Sequence, residues 1–301
     1  MSNFSYLIDI DGIWECPDLF ELKCDNFNTK WVLTLSVISG SVAGGSGMIY
    51  FIGDFDGKTF CESSKNEPTP NWIDNGADFY AAVSFSNIPM NDGRRIWLGW
   101  MNNWDYADNV PTSPWRGMLS IPRELSLKLI NENIKLIQKP ITELKELRQT
   151  EFSFTKLSVA ELNEKLSVEG NFRPPFELMV ELEAINSTDF SLIMNNEMGE
   201  EISFSYRRDN SRVILNRAKF GETKFSDKFH EIHSAPIKLK ERKLFINIFV
   251  DTSSFEIFCN NGEVVFSDLI LTNGEISFVE FYSDSSSLQI NSLTIWNLKN
   301  I

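Results

Sequence analysis

The chain has 301 residues and a formal charge of −14, from 28 Lys and Arg against 42 Asp and Glu, and is long enough for two domains with cores of their own. The acidic balance argues against nucleic-acid or anionic-membrane partners, which need Lys/Arg patches, and no apolar run reaches the length of a membrane span. With 24 Phe and 8 Trp the composition is that of a globular chain rather than a disordered one.

Taken in order, residues before about 135 read as short strands joined by turns. Residues 31–38 are β-rich and partly alternating. Residues 40–47 are rich in Gly and Ser; they lack the lysine of a phosphate-binding loop and lead into the strand-like stretch 48–52, so they read as a loop between strands. Asp56-Gly57 is the tight pair of a hairpin turn, and the two prolines of 66–75 mark another loop. Strands follow at 78–85 and 94–101, with Pro111, Pro114 and Pro122 punctuating the next stretch. Residues 125–130 and 134–137 form a hairpin about Asn131-Glu132-Asn133. Pro140 opens a short helical linker over 141–147. From about 150 the chain is again β-rich: 176–183 and 244–250 alternate, Asn260-Asn261-Gly262 turns between 255–259 and 263–266, and 288–296 is the closing strand. Many short strands with frequent turns predict an all-β protein built as a propeller or a sandwich.

One stretch carries the chemistry. In Trp14-Glu15-Cys16-Pro17-Asp18-Leu19-Phe20 a single carboxylate stands between a large aromatic and a Cys-Pro step. Apolar neighbours on both sides are the setting that equips a carboxyl to hold a proton and hand it over. Proline removes a donor and fixes the backbone, so the strand is expected to end or bend at Pro17 and aim Glu15 outward. Cys16 reads as a packed neighbour of the acid, because no His is placed to make it a nucleophile. Arg123-Glu124 reads as an ion pair at a strand end, and the acidic residues of the C-terminal half as solvated strand faces. The four cysteines, Cys16, Cys24, Cys61 and Cys259, form no CxxC pair and no disulfide framework. His230 and His233 read as a solvated loop or strand edge rather than zinc ligands. No metal and no cofactor is expected. Met1 is followed by polar residues without a signal-peptide pattern.

The heptapeptide around Glu15 resembles the acid/base motif of glycoside hydrolase family 32, the β-fructosidases. Further stretches resemble the same family in the same order: Tyr50-Phe51-Ile52-Gly53-Asp54-Phe55-Asp56-Gly57-Lys58-Thr59-Phe60, Asp78-Phe79-Tyr80-Ala81, Gly99-Trp100-Met101-Asn102-Asn103-Trp104, Pro111-Thr112-Ser113-Pro114-Trp115-Arg116-Gly117 followed by Ser120-Ile121-Pro122-Arg123-Glu124-Leu125, and Val250-Asp251-Thr252-Ser253-Ser254-Phe255-Glu256-Ile257-Phe258. The resemblance implies a partial five-bladed β-propeller, its later blades at 1–137, a linker at 138–149 and a β-sandwich at 150–301. It also implies a retaining glycosidase acting on fructose-containing oligo- or polysaccharides, with Glu15 as acid/base. Trp100, Asn102, Trp104 and Asp78 are then candidate sugar-binding residues, since aromatic faces and amides suit a sugar's apolar face and hydroxyls. An uncharged sugar is compatible with the acidic chain. The Asn-Asp-Pro-Asn-Gly and Arg-Asp-Pro motifs that hold the family's nucleophile and transition-state stabiliser do not occur; Asn91-Asp92-Gly93 and Arg208-Asp209-Asn210 depart from both. The expectation is therefore the C-terminal part of a β-fructosidase, inactive alone and prone to associate through open propeller edges. A non-catalytic sugar- or partner-binding fragment is the competing expectation.

Overall fold

The computed structural model describes residues 10, 12–25, 28–63, 70–170, 172–183, 188–229, 232–286 and 288–300. Their regular secondary structure is mostly antiparallel strand, in four sheets. The first sheet holds β1 (Trp14–Lys23), β2 (Thr29–Val37), β3 (Gly47–Phe55), β4 (Phe60–Glu62) and β5 (Asn71–Trp72). The second holds β6 (Tyr80–Ser84), β7 (Arg95–Met101), β8 (Met118–Leu119), β9 (Arg123–Ile130) and β10 (Asn133–Pro140). The two sheets share one apolar core. Phe20, Val32, Met48 and Ile52 of the first meet Phe79, Trp97, Leu125 and Leu136 of the second.

Local chemistry explains the turns. Asp56 Oδ1 accepts the backbone N–H groups of Lys58 at 2.8 Å and Thr59 at 2.7 Å, while Gly57 takes φ +92°, so the predicted tight pair closes the β3–β4 hairpin. Asn131 and Glu132 both adopt positive φ between β9 and β10, in the expected hairpin. Of the loop expected at 66–75, residues 66–69 lie outside the described residues, and Asn71–Trp72 pair with β3 as a short strand. A 3-10 helix spans Thr142–Leu147, where the sequence predicts a helical turn.

The C-terminal half runs β11 (Arg148–Ser158), α1 (Val159–Glu169), β12 (Phe176–Glu183), β13 (Phe190–Asn196), β14 (Glu201–Arg207), β15 (Arg212–Lys219), β16 (Ile232–Pro236), β17 (Lys243–Val250), β18 (Ser254–Cys259), β19 (Val264–Leu269), β20 (Ile276–Ser283) and β21 (Gln289–Leu298). Six of these strands form one sheet, in the order β11-β21-β12-β17-β18-β19, and five form a second, in the order β16-β15-β14-β13-β20. A single core between them takes Leu178, Val180, Ile246, Ile248, Leu293 and Ile295 from one sheet and Leu192, Phe204, Leu215 and Phe281 from the other. The helix α1 departs from the β-rich reading of this half. Its signal is local: Ser158 and Glu161 form a capping box, and Leu162 and Leu166, one turn apart, are buried.

The halves interlock through buried polar chemistry. Residues 74–78 lie along the edge strand β19, with Asn75 N–H on Val265 O at 2.8 Å and Asp78 N–H on Ser267 O at 2.9 Å, so that edge is covered rather than open. Arg123, fully buried, donates to Asp74 at 3.0 Å and Glu256 at 2.7 Å and stacks over Phe79 at 4.1 Å. The expected Arg123–Glu124 pair is thereby corrected: adjacent strand residues point to opposite faces, and Arg123 turns inward. Glu256 and Glu177 are likewise not solvated faces. Burial pushes the Glu256 carboxyl upward against the pull of Arg123, and Glu177, 2% exposed, accepts from Arg148 Nε and Nη2.

Candidate functional site

The site is built where the start of β1 meets the start of β6. Glu15 pairs with Ser36 across β1–β2, and the register then slips between Glu15 and Asp18. Cys16 sits at φ +47° inside that irregularity. The strand therefore does not end at Pro17 but bulges and continues to Lys23, and a bulge re-aims the side chain beside it. Cys16, expected to be packed, is exposed because the bulge turns it out.

Glu15, half-buried, is held from the second sheet: the Tyr80 hydroxyl donates to Glu15 Oε2 at 2.8 Å. Tyr80 is placed by two devices. Ala81 takes φ +50° and donates its N–H to Ser36 Oγ at 3.2 Å, the same Ser36 that faces Glu15. Three residues further on, Ser84 N–H donates to Asp18 Oδ2 at 2.9 Å. The bulged strand and the irregular start of β6 are thus stitched on both sides of the contact.

Aromatic rings wall this contact. Tyr80 meets Trp100 edge-on at 6.3 Å between centroids and Trp104 at 6.4 Å, and the two indoles lie 5.0 Å apart. Trp104 is 52% exposed and presents its ring to solvent. Its backbone is fixed by the Gly/Ser loop: Trp104 N–H donates to Ser46 Oγ at 3.1 Å, while Asn103 Nδ2 donates to Gly44 O at 3.1 Å and Ala77 O at 2.8 Å. A Cβ at Gly45, whose φ is +62°, would lie 2.1 Å from Asn103 Oδ1, so this loop position requires glycine.

Of the sequence-predicted residues, the structure brings Glu15, Trp100 and Trp104 together. Asn102 is 1% exposed, and its Oδ1 accepts the Asn103 N–H at 2.9 Å. Asp78 goes elsewhere. It is fully buried, accepting from the Tyr106 hydroxyl, from Arg217 Nη1 at 2.7 Å and from Leu269 N–H at 2.9 Å. Burial raises its pKa above the usual carboxylate value against the opposing Arg217 charge, and its oxygens serve the joint between the halves rather than a sugar. His233, expected to be solvated, is 2% exposed on β16 with Nδ1 2.7 Å from Asp268 Oδ1, because it faces the joint; His230 lies outside the described residues. Sequence reasoning misses Tyr80, Ser36 and Asn103. Tyr80 and Asn103 stand inside stretches that the motifs quote, without a role assigned to them; Ser36 carries no such signal.

Burial, then the neighbouring Glu15, pushes Tyr80 well above the ordinary phenol value; burial also raises Tyr106, and takes Tyr50 to about 12. These three of the six tyrosines are expected to stay protonated while ordinary phenols ionise near pH 10. The folded chain then holds protons that the unfolded chain releases, so stability is full below about pH 10 and is lost as pH rises through about 12. Tyrosinate absorbance alongside the denaturant midpoint checks this; ionisation of all six near pH 10 with the fold intact would contradict it.

The chain is a nearly all-β protein whose two halves each pair two antiparallel sheets around an apolar core, with a bulge-borne carboxylate beside an aromatic wall. The chain belongs to glycosyl hydrolases family 32: residues 3–140 match the profile of its N-terminal domain and residues 143–297 that of its C-terminal region. A levanase of Bacillus subtilis (strain 168) is 41% identical over 298 residues, covering 96% of this chain and 43% of the relative. The extracellular exo-inulinase inuE of Aspergillus niger is 31% identical, covering 95% and 55%. The crystal structure of exo-inulinase from Aspergillus awamori superposes with a TM-score of 0.84 at 27% identity, over 99% of this chain and 59% of that one. The chain thus spans less than two thirds of the length of these relatives.

Proposed function

We propose that this chain is the proton-donating part of a β-fructofuranosidase-like glycosidase acting on levan, inulin or sucrose. The observation that carries the reading is Glu15, held by the Tyr80 hydroxyl beside Trp100 and Trp104. Levanase and exo-inulinase relatives support the substrate class. In a retaining mechanism Glu15 protonates the leaving oxygen while a second carboxylate, roughly 5 Å away, attacks the anomeric carbon; Glu15 then accepts a proton from the water that releases the fructosyl group. Trp104 and Trp100 would receive the sugar's apolar face, while Asn102 between them in the chain is buried.

The architecture follows the same reading. Residues 1–137, which hold the first two sheets except the last three residues of β10, are taken as later blades of a five-bladed propeller, 138–149 as the linker and 150–301 as a sandwich. The sequence holds neither an Asn-Asp-Pro-Asn-Gly nor an Arg-Asp-Pro motif. We therefore propose that the chain does not turn over by itself and that it associates through the propeller's unpaired edges. That same absence favours a second reading, a non-catalytic fragment or pseudoenzyme that binds sugar or a partner chain.

The catalytic reading, and the second one where its ligand is a sugar, require sugar at the aromatic wall. Titration of the chain with a fructan oligosaccharide should change indole fluorescence saturably, and Trp104→Ala should weaken the affinity by about tenfold. Binding unchanged by Trp104→Ala would remove the wall from the site.

A further inference from the structure

Beyond Trp104 the chain makes a loop, residues 105–117, that leaves the aromatic wall and returns to it. The loop is anchored at both ends. Tyr106 and Val110 are buried with Phe229 and Leu269 of the C-terminal half, and Met118, where the chain rejoins the sheet as β8, packs against the same cluster. Tyr106 meets Phe225 and Phe229 edge-on, at 5.9 and 5.1 Å between centroids. Lys228 Nζ lies 3.4 Å from Asp105 Oδ1, and Arg116 Nη1 donates to Asp108 O across the loop.

The returning arm borders the wall. Leu119 is the cross-strand partner of Trp100, which puts the two side chains on one face of the sheet. A Cβ at Gly117, whose φ is +83°, would lie 3.0 Å from Trp100 Nε1, so the backbone there runs against the indole. Trp115 is two residues further back, and with consecutive Cα atoms about 3.8 Å apart its Cα lies within about 7.6 Å of that of Gly117. On an arm held this firmly, Trp115 is nevertheless 44% exposed and Leu119 63% exposed. The exposed apolar surface that begins at Trp104, itself 52% exposed, is thus taken up again by the returning arm of the loop.

We propose that Trp115 is a specificity-determining residue, an aromatic platform for a further sugar unit of a fructan chain whose end lies at Trp100 and Trp104; this rests on the sugar-binding reading of that wall. A disaccharide fills the wall alone, whereas a chain reaches the indole of Trp115 and gains a second apolar surface to stack on, so the site is one for polymeric fructan rather than for sucrose. Isothermal titration tests this, with sucrose and a long inulin oligosaccharide as separate probes. The oligosaccharide should bind more tightly than sucrose. Trp115→Ala should weaken the oligosaccharide about tenfold and leave sucrose unchanged, Trp115→Phe should keep most of the oligosaccharide's affinity, and Trp104→Ala should weaken both probes. Both Trp115 variants should melt close to the parent, because the buried anchors of the loop are untouched. If Trp115→Ala weakens both probes equally, or leaves the oligosaccharide unaffected while Trp104→Ala weakens it, this inference is overturned and the wall stands. Failure of the parent to bind either probe removes the wall and, with it, this extension.

Discussion

Glu15→Gln is expected to lower fructose release by about 10²- to 10⁴-fold, the usual contribution of a positioned proton donor. The measurement needs a partner for the acid. The chain is joined in frame to the upstream part of a family member, such as the Bacillus subtilis levanase, that carries the attacking carboxylate. Gln is nearly isosteric, and its carbonyl still accepts from the Tyr80 hydroxyl, so the loss is one of chemistry rather than folding. A fructoside with a strongly acidic leaving group needs no protonation, and on it the variant should recover most of the rate. Two results would sink the assignment: equal loss on both substrates, or no loss on either. Fructose release by the unfused chain would instead refute the proposal that it lacks its attacking half.

Arg123→Met is expected to cost about 3–5 kcal/mol of stability, the range for removing one partner from a buried ion pair. Arg123 is fully buried, and its loss leaves Asp74, at 3% side-chain exposure, and Glu256, at 2%, facing each other without a cation. Phe79 and Phe258 also lose the guanidinium stacked over them at 4.1 and 5.2 Å. Denaturant midpoints measure the cost. Glu124→Ala is the control, because the structure gives Arg123 no bond to Glu124, and its effect should stay within about 0.5 kcal/mol. Comparable losses from the two substitutions would restore the strand-end pair that the sequence suggested. Replacing Asp74, Arg123 and Glu256 together by apolar residues of similar volume should recover much of the stability, since no charge is then left unpaired.

The relatives constrain the chemistry without describing this chain's own activity. Levan and inulin are named for proteins of which this chain covers about half the length or less than two thirds. The geometry adds what those names do not contain: Glu15 is positioned by a hydroxyl from the neighbouring sheet, and the residue facing it, Ser36, is shared between both strands.

The sequence by itself determined what is encoded over a few residues. Alternation and turn chemistry marked the strands, Asp56-Gly57 and Asn260-Asn261-Gly262 marked hairpins, and the setting between Trp14 and Cys16-Pro17 singled out Glu15 as the candidate acid. Tertiary structure alone decided what depends on residues far apart in the chain. Tyr80 reaches Glu15 across 65 positions, Arg123 reaches Glu256 across 133 and Arg217 reaches Asp78 across 139. Asp78 shows the division most plainly. Its place at the entry to a strand was legible, but whether its carboxylate faced a sugar or an arginine was settled by which side of β6 the C-terminal half packs against. A charged side chain in the interior stays only where partners meet it, and no local pattern specifies partners that the chain delivers more than a hundred residues later.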